Sequence, residues 1–250
     1  MGIRFTRDQC LNLENSLRQE WLDTNGLGGY ASSTILDCHT RKYHGLLVAN
    51  LNKPAGMFVL LSKLEVSIRA GENEFRLSTN KYPGVFDPTG HKYIESFEYE
   101  TFPVTTYCIG DIRLSKATMV VHGENTVLVR IDLHGAHKPV IIRALPLVSY
   151  RPLHGLTRQN TYLRTKVVME GDHQRLEPYD LMPPMYFEWN RHVEFWPGAH
   201  WYSNVEYLKE LRRVYDYQED LCCPGAYETE LAPGESLIFR ASLSKQWAPS

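Results

Sequence analysis

Residues 57–77 read MFVLLSKLEVSIRAGENEFRL. Leu64, Val66 and Ile68 alternate with Lys63, Glu65 and Ser67, the period-two pattern of a strand with one apolar face. Ala70-Gly71-Glu72-Asn73 then offers a turn, and Glu74–Leu77 answers it, so the stretch predicts a β-hairpin. The same pattern spreads outward. Tyr93–Glu100, Val104–Ile109, Arg113–His122 and Thr126–Leu133 are predicted strands, joined by turns at Ile109-Gly110-Asp111 and His122-Gly123-Glu124-Asn125. Val140–Pro146, Tyr162–Met169, Tyr186–Val193, Ala226–Leu231 and Ser236–Leu243 follow, the last two around Pro233-Gly234. Towards the N-terminus, Ala31–Leu36 and Tyr43–Ala49 read as strands.

Helical patterns are few. Residues 9–20 fit a short helix or an extended arm, and Val205–Tyr215 is the best helix, with Leu208, Leu211 and Tyr215 on one stripe. Leu51–Gly56, residues 79–92, the polar interruption at 147–159 and Asp220–Gly225 read as loops, Gly171-Asp172 as a turn, and the KQWAPS tail as frayed. An α/β fold would need helices between the strands. The expected fold class is therefore all-β: one large antiparallel β-sandwich with one or two short helices.

The 250 residues are 43% hydrophobic and 22% charged with a formal net charge of -2, which argues against a general nucleic-acid binder. No apolar run approaches the ~20 residues of a membrane span, and the N-terminal stretch has no signal-peptide core. The Gly2 start makes only a weak myristoylation match. Cys10, Cys38, Cys108, Cys222 and Cys223 are odd in number and form no CxxC, so free thiols in a cytoplasmic protein are expected. Fifteen Tyr and five Trp suit carbohydrate, but equally sandwich cores and interfaces.

The chemistry-bearing residues gather in 21–50, WLDTNGLGGYASSTILDCHTRKYHGLLVAN. Asn25-Gly26-Leu27-Gly28-Gly29-Tyr30 has no GxGxxG spacing and no following Lys-Ser/Thr, so it is a turn rather than a nucleotide loop. Thr40-Arg41-Lys42-Tyr43-His44-Gly45 carries a guanidinium, a phenol and an imidazole within four residues. On a strand, Arg41 and Tyr43 would share one face and Lys42 and His44 the other. Such a set can bind sugar hydroxyls, meet a carboxylate of another domain, or serve an internal network. The ten histidines show no HExxH or other compact metal spacing, and no cofactor or metal is expected. Glu95, Glu188, Glu194, Glu219 and Asp220 are the acidic candidates, but glycoside hydrolysis needs two carboxylates about 5–9.5 Å apart across the bond, which sequence cannot supply. Neighbours Glu219 and Asp220 would face opposite sides of a strand.

WLDTNGLGGYASST followed by TRKYHGLLVAN resembles the N-terminal domain of bacterial and archaeal glycogen debranching enzymes. So do LSTNKYPGVFDPTGHKYIESF, MVVHGENTVLVRI, LPLVSYRPLHGLT and HWYSNVEY…YDYQEDLCCPGAYETELAPGE, in family order. The resemblance implies a supersandwich, mutarotase-like domain over residues 1–250, with the (α/α)6 toroid that carries amylo-α-1,6-glucosidase chemistry outside this chain. Catalytic residues are then expected in that toroid and none here. The family's usual TRRYHG stands here as Thr40-Arg41-Lys42-Tyr43-His44-Gly45, losing one bidentate group at Lys42. Carried over by position, Asn25, Gly28, Gly29, Tyr30, Arg41, Tyr43 and His44, with Tyr150, Arg151 and His154 as a second set, are expected to face the catalytic domain and its α-glucan (glycogen or limit dextrin). Two rivals are a free-standing mutarotase-like enzyme, pairing His44 or His122 with Glu95 as acid and base, and a stand-alone glucan-binding protein.

Overall fold

The Met57–Ala70 strand lies at the centre of a sheet, with neighbours on both sides. The computed structural model describes residues 2–51, 55–171 and 173–245. The middle of the Leu51–Gly56 loop, Asp172 of the expected turn, and residues 246–250 of the tail lie outside the described residues. Among those described, an eight-stranded sheet runs in the order Glu194–Glu206, Gln218–Leu231, Val140–Pro152, Met57–Ala70, Gly45–Asn50, Tyr30–Thr34, Glu20–Thr24, with Asn73–Arg76 also pairing on Met57–Ala70. A nine-stranded sheet runs Ile3–Thr6, Ile94–Tyr99, Pro103–Ile109, Ile112–Val120, Thr126–Gly135, Ser236–Ser242, Met185–Trp189, His173–Leu176, Val167–Glu170. Neighbouring strands are antiparallel, and the protein is a large antiparallel β-sandwich.

The core lies between the sheets. Leu64, Val66 and Ile68 of one sheet join Val127, Val129, Ile131 and Phe239 of the other in a single buried cluster. The polar side of Met57–Ala70 is also buried, because the small hairpin Thr79–Tyr82/Val85–Thr89 covers it. Lys63 Nζ donates to the Thr79 carbonyl (2.9 Å) and to Asn80 Oδ1 (2.8 Å), and Asn80 Nδ2 donates to Glu65 Oε1 (2.6 Å). These bonds offset the desolvation of a buried ammonium and carboxylate.

Several boundaries depart from the sequence reading. Residues 79–92 are not a loop: they hold that hairpin and a 3₁₀ turn, Gly90–Tyr93. The stretch after Pro146 continues as strand to Pro152, with register shifts at Leu147/Val148 and beyond Val148 that absorb its irregular pattern. Asp220–Gly225 is strand as well, flanked by partners on both sides. The expected helix 205–215 shortens to Leu208–Arg212, because Val205 and Glu206 pair with Glu219 and Gln218 as strand. The N-terminal arm forms two short helices, Arg7–Leu11 and Leu13–Ser16. All five cysteines are free thiols.

Candidate functional site

Residues 41–44 form a turn, not the start of a strand, which begins at Gly45. The His44 N–H donates to the Arg41 carbonyl at 3.1 Å. This overturns the alternation expected for the segment: Arg41 and His44 converge on the same carboxylate. Glu20 Oε1 accepts from Arg41 Nε at 2.8 Å and lies 3.4 Å from Thr40 Oγ1 and 3.5 Å from His44 Nε2. The Thr40 N–H donates to His44 Nδ1 at 3.2 Å, so the ring carries its proton on Nε2, facing Glu20. Burial pushes the Glu20 carboxyl up, but the bonds from His44 and Arg41 outweigh it and hold the pKa at about 2. Burial lowers the His44 pKa against the opposing pull of Glu20, so the imidazole is neutral at pH 7.

Beneath the turn lies an ion pair sealed from solvent. Arg151 is 3% and Glu219 0% exposed. The guanidinium grips the carboxylate through Nε and Nη2, and its Nη2 also donates to the Lys42 carbonyl at 2.6 Å. Glu219 further accepts from the Tyr207 hydroxyl and from the Thr157 N–H (3.0 Å). Burial, then the Glu219 charge, keeps the Tyr207 phenol protonated far beyond the ordinary range. Every lone pair that matters has a donor, the condition for a buried ion pair to persist. Asp220 does point the other way, to the N–H groups of Gln159 (2.9 Å) and Asn204 (2.8 Å). Glu210, on the Leu208–Arg212 helix, accepts from the Lys42 N–H at 3.1 Å, and the Lys209 N–H donates to the Thr40 carbonyl at 2.8 Å. The turn is thus pinned from below by the Arg151 pair and from the side by the helix.

The two expected residue sets meet here in part. The Tyr30 hydroxyl donates to the Tyr43 carbonyl (2.8 Å). The Tyr43 hydroxyl lies 3.3 Å from His154 Nδ1, the rings set edge to face, and Lys42 Nζ donates to the His154 carbonyl (3.0 Å). Tyr150 adopts a positive φ of 45° and sends its hydroxyl to the Pro183 carbonyl (3.1 Å), away from this group. Asn25, Gly28 and Gly29 occupy the other end of the Glu20–Thr24/Tyr30–Thr34 hairpin. There Asn25 Oδ1 accepts from the N–H groups of Leu27 (2.8 Å) and Gly29 (2.9 Å), while Nδ2 donates to the Glu124 carbonyl (2.9 Å) and Asn125 Oδ1 (3.0 Å). A Cβ on Gly29 would come within 2.6 Å of Asn25 Nδ2 and 2.8 Å of the Val48 carbonyl, so glycine is a packing requirement.

The acid–base pairs imagined for a free-standing enzyme have separate partners. Glu95 is bonded to Arg113 (2.7 Å), the His122 ring lies against Gly26, and His44 faces Glu20. Glu188 is bonded to Arg240, and Glu194 lies on the exposed edge strand. Among the described residues no group of three His, Cys, Asp or Glu could hold a metal ion. Glu20, Glu210, Tyr207 and Thr157 escaped the sequence reading. Each is an ordinary residue type whose role depends on a partner 12 to 168 residues away. What remains outward is the distal edge of the Arg41 guanidinium, the Tyr43–His154 pair and the Lys42 ammonium, while the carboxylates of Glu20, Glu210, Glu219 and Asp220 are all engaged by partners within the domain.

Fold and site together define a large antiparallel β-sandwich domain with a rigidly supported polar turn at one end. Residues 19–238 match the family model described as glycogen debranching enzyme N terminal, and the chain belongs to that family. Among solved structures it is similar to a bacterial glucoamylase complexed with acarbose, at 10% identity and a TM-score of 0.43, covering 91% of this chain and 31% of that one. It is also similar to a polysaccharide lyase, at 13% identity and a TM-score of 0.33, covering 90% of this chain and 32% of that one. The chain thus spans about a third of these structures' length. No curated protein matches it.

Proposed function

We propose that this chain is the non-catalytic N-terminal module of an amylo-α-1,6-glucosidase acting in glycogen catabolism, docked on an (α/α)6 catalytic domain in cis or in trans. In this reading its Arg41–His44 turn shapes one wall of the α-glucan site. The family match over residues 19–238 is the observation that carries the proposal. The site geometry supports the non-catalytic part. Glycoside hydrolysis needs two carboxylates available across the scissile bond, whereas those near the turn are committed to Arg41, Arg151 or backbone N–H groups. The outward groups, a guanidinium edge, a phenol and an imidazole, suit hydrogen bonding to sugar hydroxyls or to a partner's carboxylate. Five free thiols favour a reducing compartment, and the same reading places the protein in the cytoplasm.

The test is glucose release from a limit dextrin by the chain alone, by the (α/α)6 domain alone, and by both together. Release is expected only when the catalytic domain is present, and to rise when the chain is added. Robust release by the isolated chain would overturn the proposal.

A further inference from the structure

A groove of about 380 Å³ opens between the Val167–Glu170/His173–Leu176 hairpin and the segment after Met185–Trp189. Met169, Gln174, Trp189, Arg191, His192 and Val193 line it. Its volume falls at the small end of ligand sites. It stands well away from the Arg41 turn. Glu219, beneath that turn, and Thr229, which donates to the His192 carbonyl (3.1 Å), lie towards opposite ends of the one strand Gln218–Leu231, about 30 Å apart.

Two side chains of the lining are buried polar groups without a partner. Gln174 is 5% exposed, and neither end of its amide bonds to a described residue. The indole N–H of the half-buried Trp189 has no acceptor either. Gln174 pairs with Phe187, two positions before Trp189, so both side chains project from the same face of the sheet as diagonal neighbours. The indole is fixed by Tyr227 and Phe239, at ring-centroid distances of 5.2 and 4.8 Å, and the enclosed Tyr227 hydroxyl is likewise unpaired. A buried polar group left unpaired costs stability, and native chains keep one where a role or a bound molecule accounts for it. Here three stand together, two of them in the wall of one groove.

The lining also selects the ligand. The Arg191 guanidinium is closed on Glu235 through two bonds (2.8 and 3.0 Å), and among the described residues no other Lys, Arg, Asp or Glu lines the groove. A phosphate or carboxylate therefore meets no free cation. A purely apolar ligand would leave the Gln174 amide and the indole N–H unpaired. The amide offers donors and an acceptor, the indole a donor, and His192 an exposed imidazole, while Met169, Val193 and the indole ring supply apolar surface. A neutral ring with C–H faces and several hydroxyls meets both demands, and a pyranose is such a ring. We infer that this groove is a second saccharide site of the domain, holding a glucose unit of an α-glucan through the Gln174 amide and the Trp189 indole. Its assignment to α-glucan rests on the reading of the chain as a debranching-enzyme module, and the site itself on the groove. A branched glucan with one outer chain here and another at the Arg41 turn would be held more tightly than by either alone.

The isotope-labelled chain is titrated with maltotriose and with cellobiose. Binding is followed on the five tryptophan indole N–H signals, that of Trp189 being the one missing from Trp189→Phe. Maltotriose is expected to shift the Trp189 indole and the Gln174 side-chain amide, and cellobiose to do so only at higher concentration. Gln174→Leu keeps the shape and removes the amide. It is expected to weaken maltotriose binding about 3- to 10-fold while raising Tm by about 2–4 °C, a combination that a structural glutamine would not give. His192→Ala, at an exposed position that leaves folding untouched, is expected to weaken it about 3-fold. Indifference of both signals to both sugars would leave a groove that holds solvent only and overturn the second site, while glucose release with the catalytic domain still judges the module reading. An equal response to cellobiose would overturn the assignment to α-glucan. Wild-type affinity in both Gln174→Leu and His192→Ala would place the sugar elsewhere and overturn the inference. A Trp189 response to maltotriose in a chain that fails the glucose-release test would support the site on its own.

Discussion

The two turns of the 21–50 stretch, alike in sequence as polar, glycine-bearing punctuation, have opposite fates. The Asn25 turn is closed. Every polar atom of the Asn25 side chain is spent on its own loop or on Glu124 and Asn125, in the turn between two strands of the opposite sheet, and the Gly123 N–H donates to the Asn25 carbonyl at 2.7 Å. The Arg41 turn is open. Its backbone is held by Arg151 and Glu210, and its side chains keep unspent donors. One turn closes the end of the sandwich and the other presents groups outward. What distinguishes them is that the Asn25 side chain itself ties its loop together and to Glu124 and Asn125, whereas the backbone of the Arg41 turn is held by other residues, Arg151 and Glu210, which leaves its side chains outward.

The sharpest way to break this contrast is to remove the remote support. Glu219→Ala leaves a buried guanidinium unpaired and is expected to destabilise the fold by about 3–5 kcal/mol in chemical denaturation. It should also abolish the contribution of the Arg41 turn to partner binding, because Arg151 no longer holds the Lys42 carbonyl. Asn25→Ala orphans two backbone N–H groups and two partners, a loss of about 2–4 kcal/mol. Binding by the folded fraction should be unchanged, whereas a loss of affinity there would make the closed turn functional.

The pH dependence of stability sharpens the contrast further. His44, His39 and His91 are buried, and burial lowers the pKa of each. The unfolded chain takes up their protons first, so stability is complete above about pH 6.5 and falls as the pH drops below it. The Glu20 contribution is lost only below about 4.5, as pH falls towards its folded pKa of about 2. His44→Gln should flatten the slope of unfolding free energy between pH 6.5 and 5, and an unchanged slope would leave His39 and His91 as its sources. The smallest stability effect belongs to Arg41→Ala, expected within about 1 kcal/mol because the pair with Glu20 is near the surface. Its effect on partner or glucan affinity should be about 10-fold, so function and stability separate at this residue as they do not at Glu219.

Legibility of the fold followed the range of the interactions. The Met57–Arg76 hairpin was readable because alternation and turn lie within one short window. The placing of Ser236–Ser242 between Thr126–Gly135 and Met185–Trp189 was not, since those pairings span from about fifty to more than a hundred residues and leave no local trace. The 205–215 helix was over-read because propensity counts only neighbours. Pairing of Val205 and Glu206 with the Gln218–Leu231 strand overrode it. Asp220–Gly225 was under-read for the converse reason: Pro and Gly suggest a loop, yet Cys222 and Cys223 are fully buried between flanking strands.

The sequence by itself determined an antiparallel β chain, its family, and a polar cluster at Arg41, Tyr43 and His44, because periodicity and local motifs survive without coordinates. Only the tertiary structure decided that Arg41 and His44 share Glu20, that Arg151 and Glu219 form a dry foundation under Lys42, and that Asn25 is a clasp. The reason is physical. A charged or hydrogen-bonding side chain acquires its role from the partner that desolvation forces on it, and that partner is chosen by the packing of the sheets.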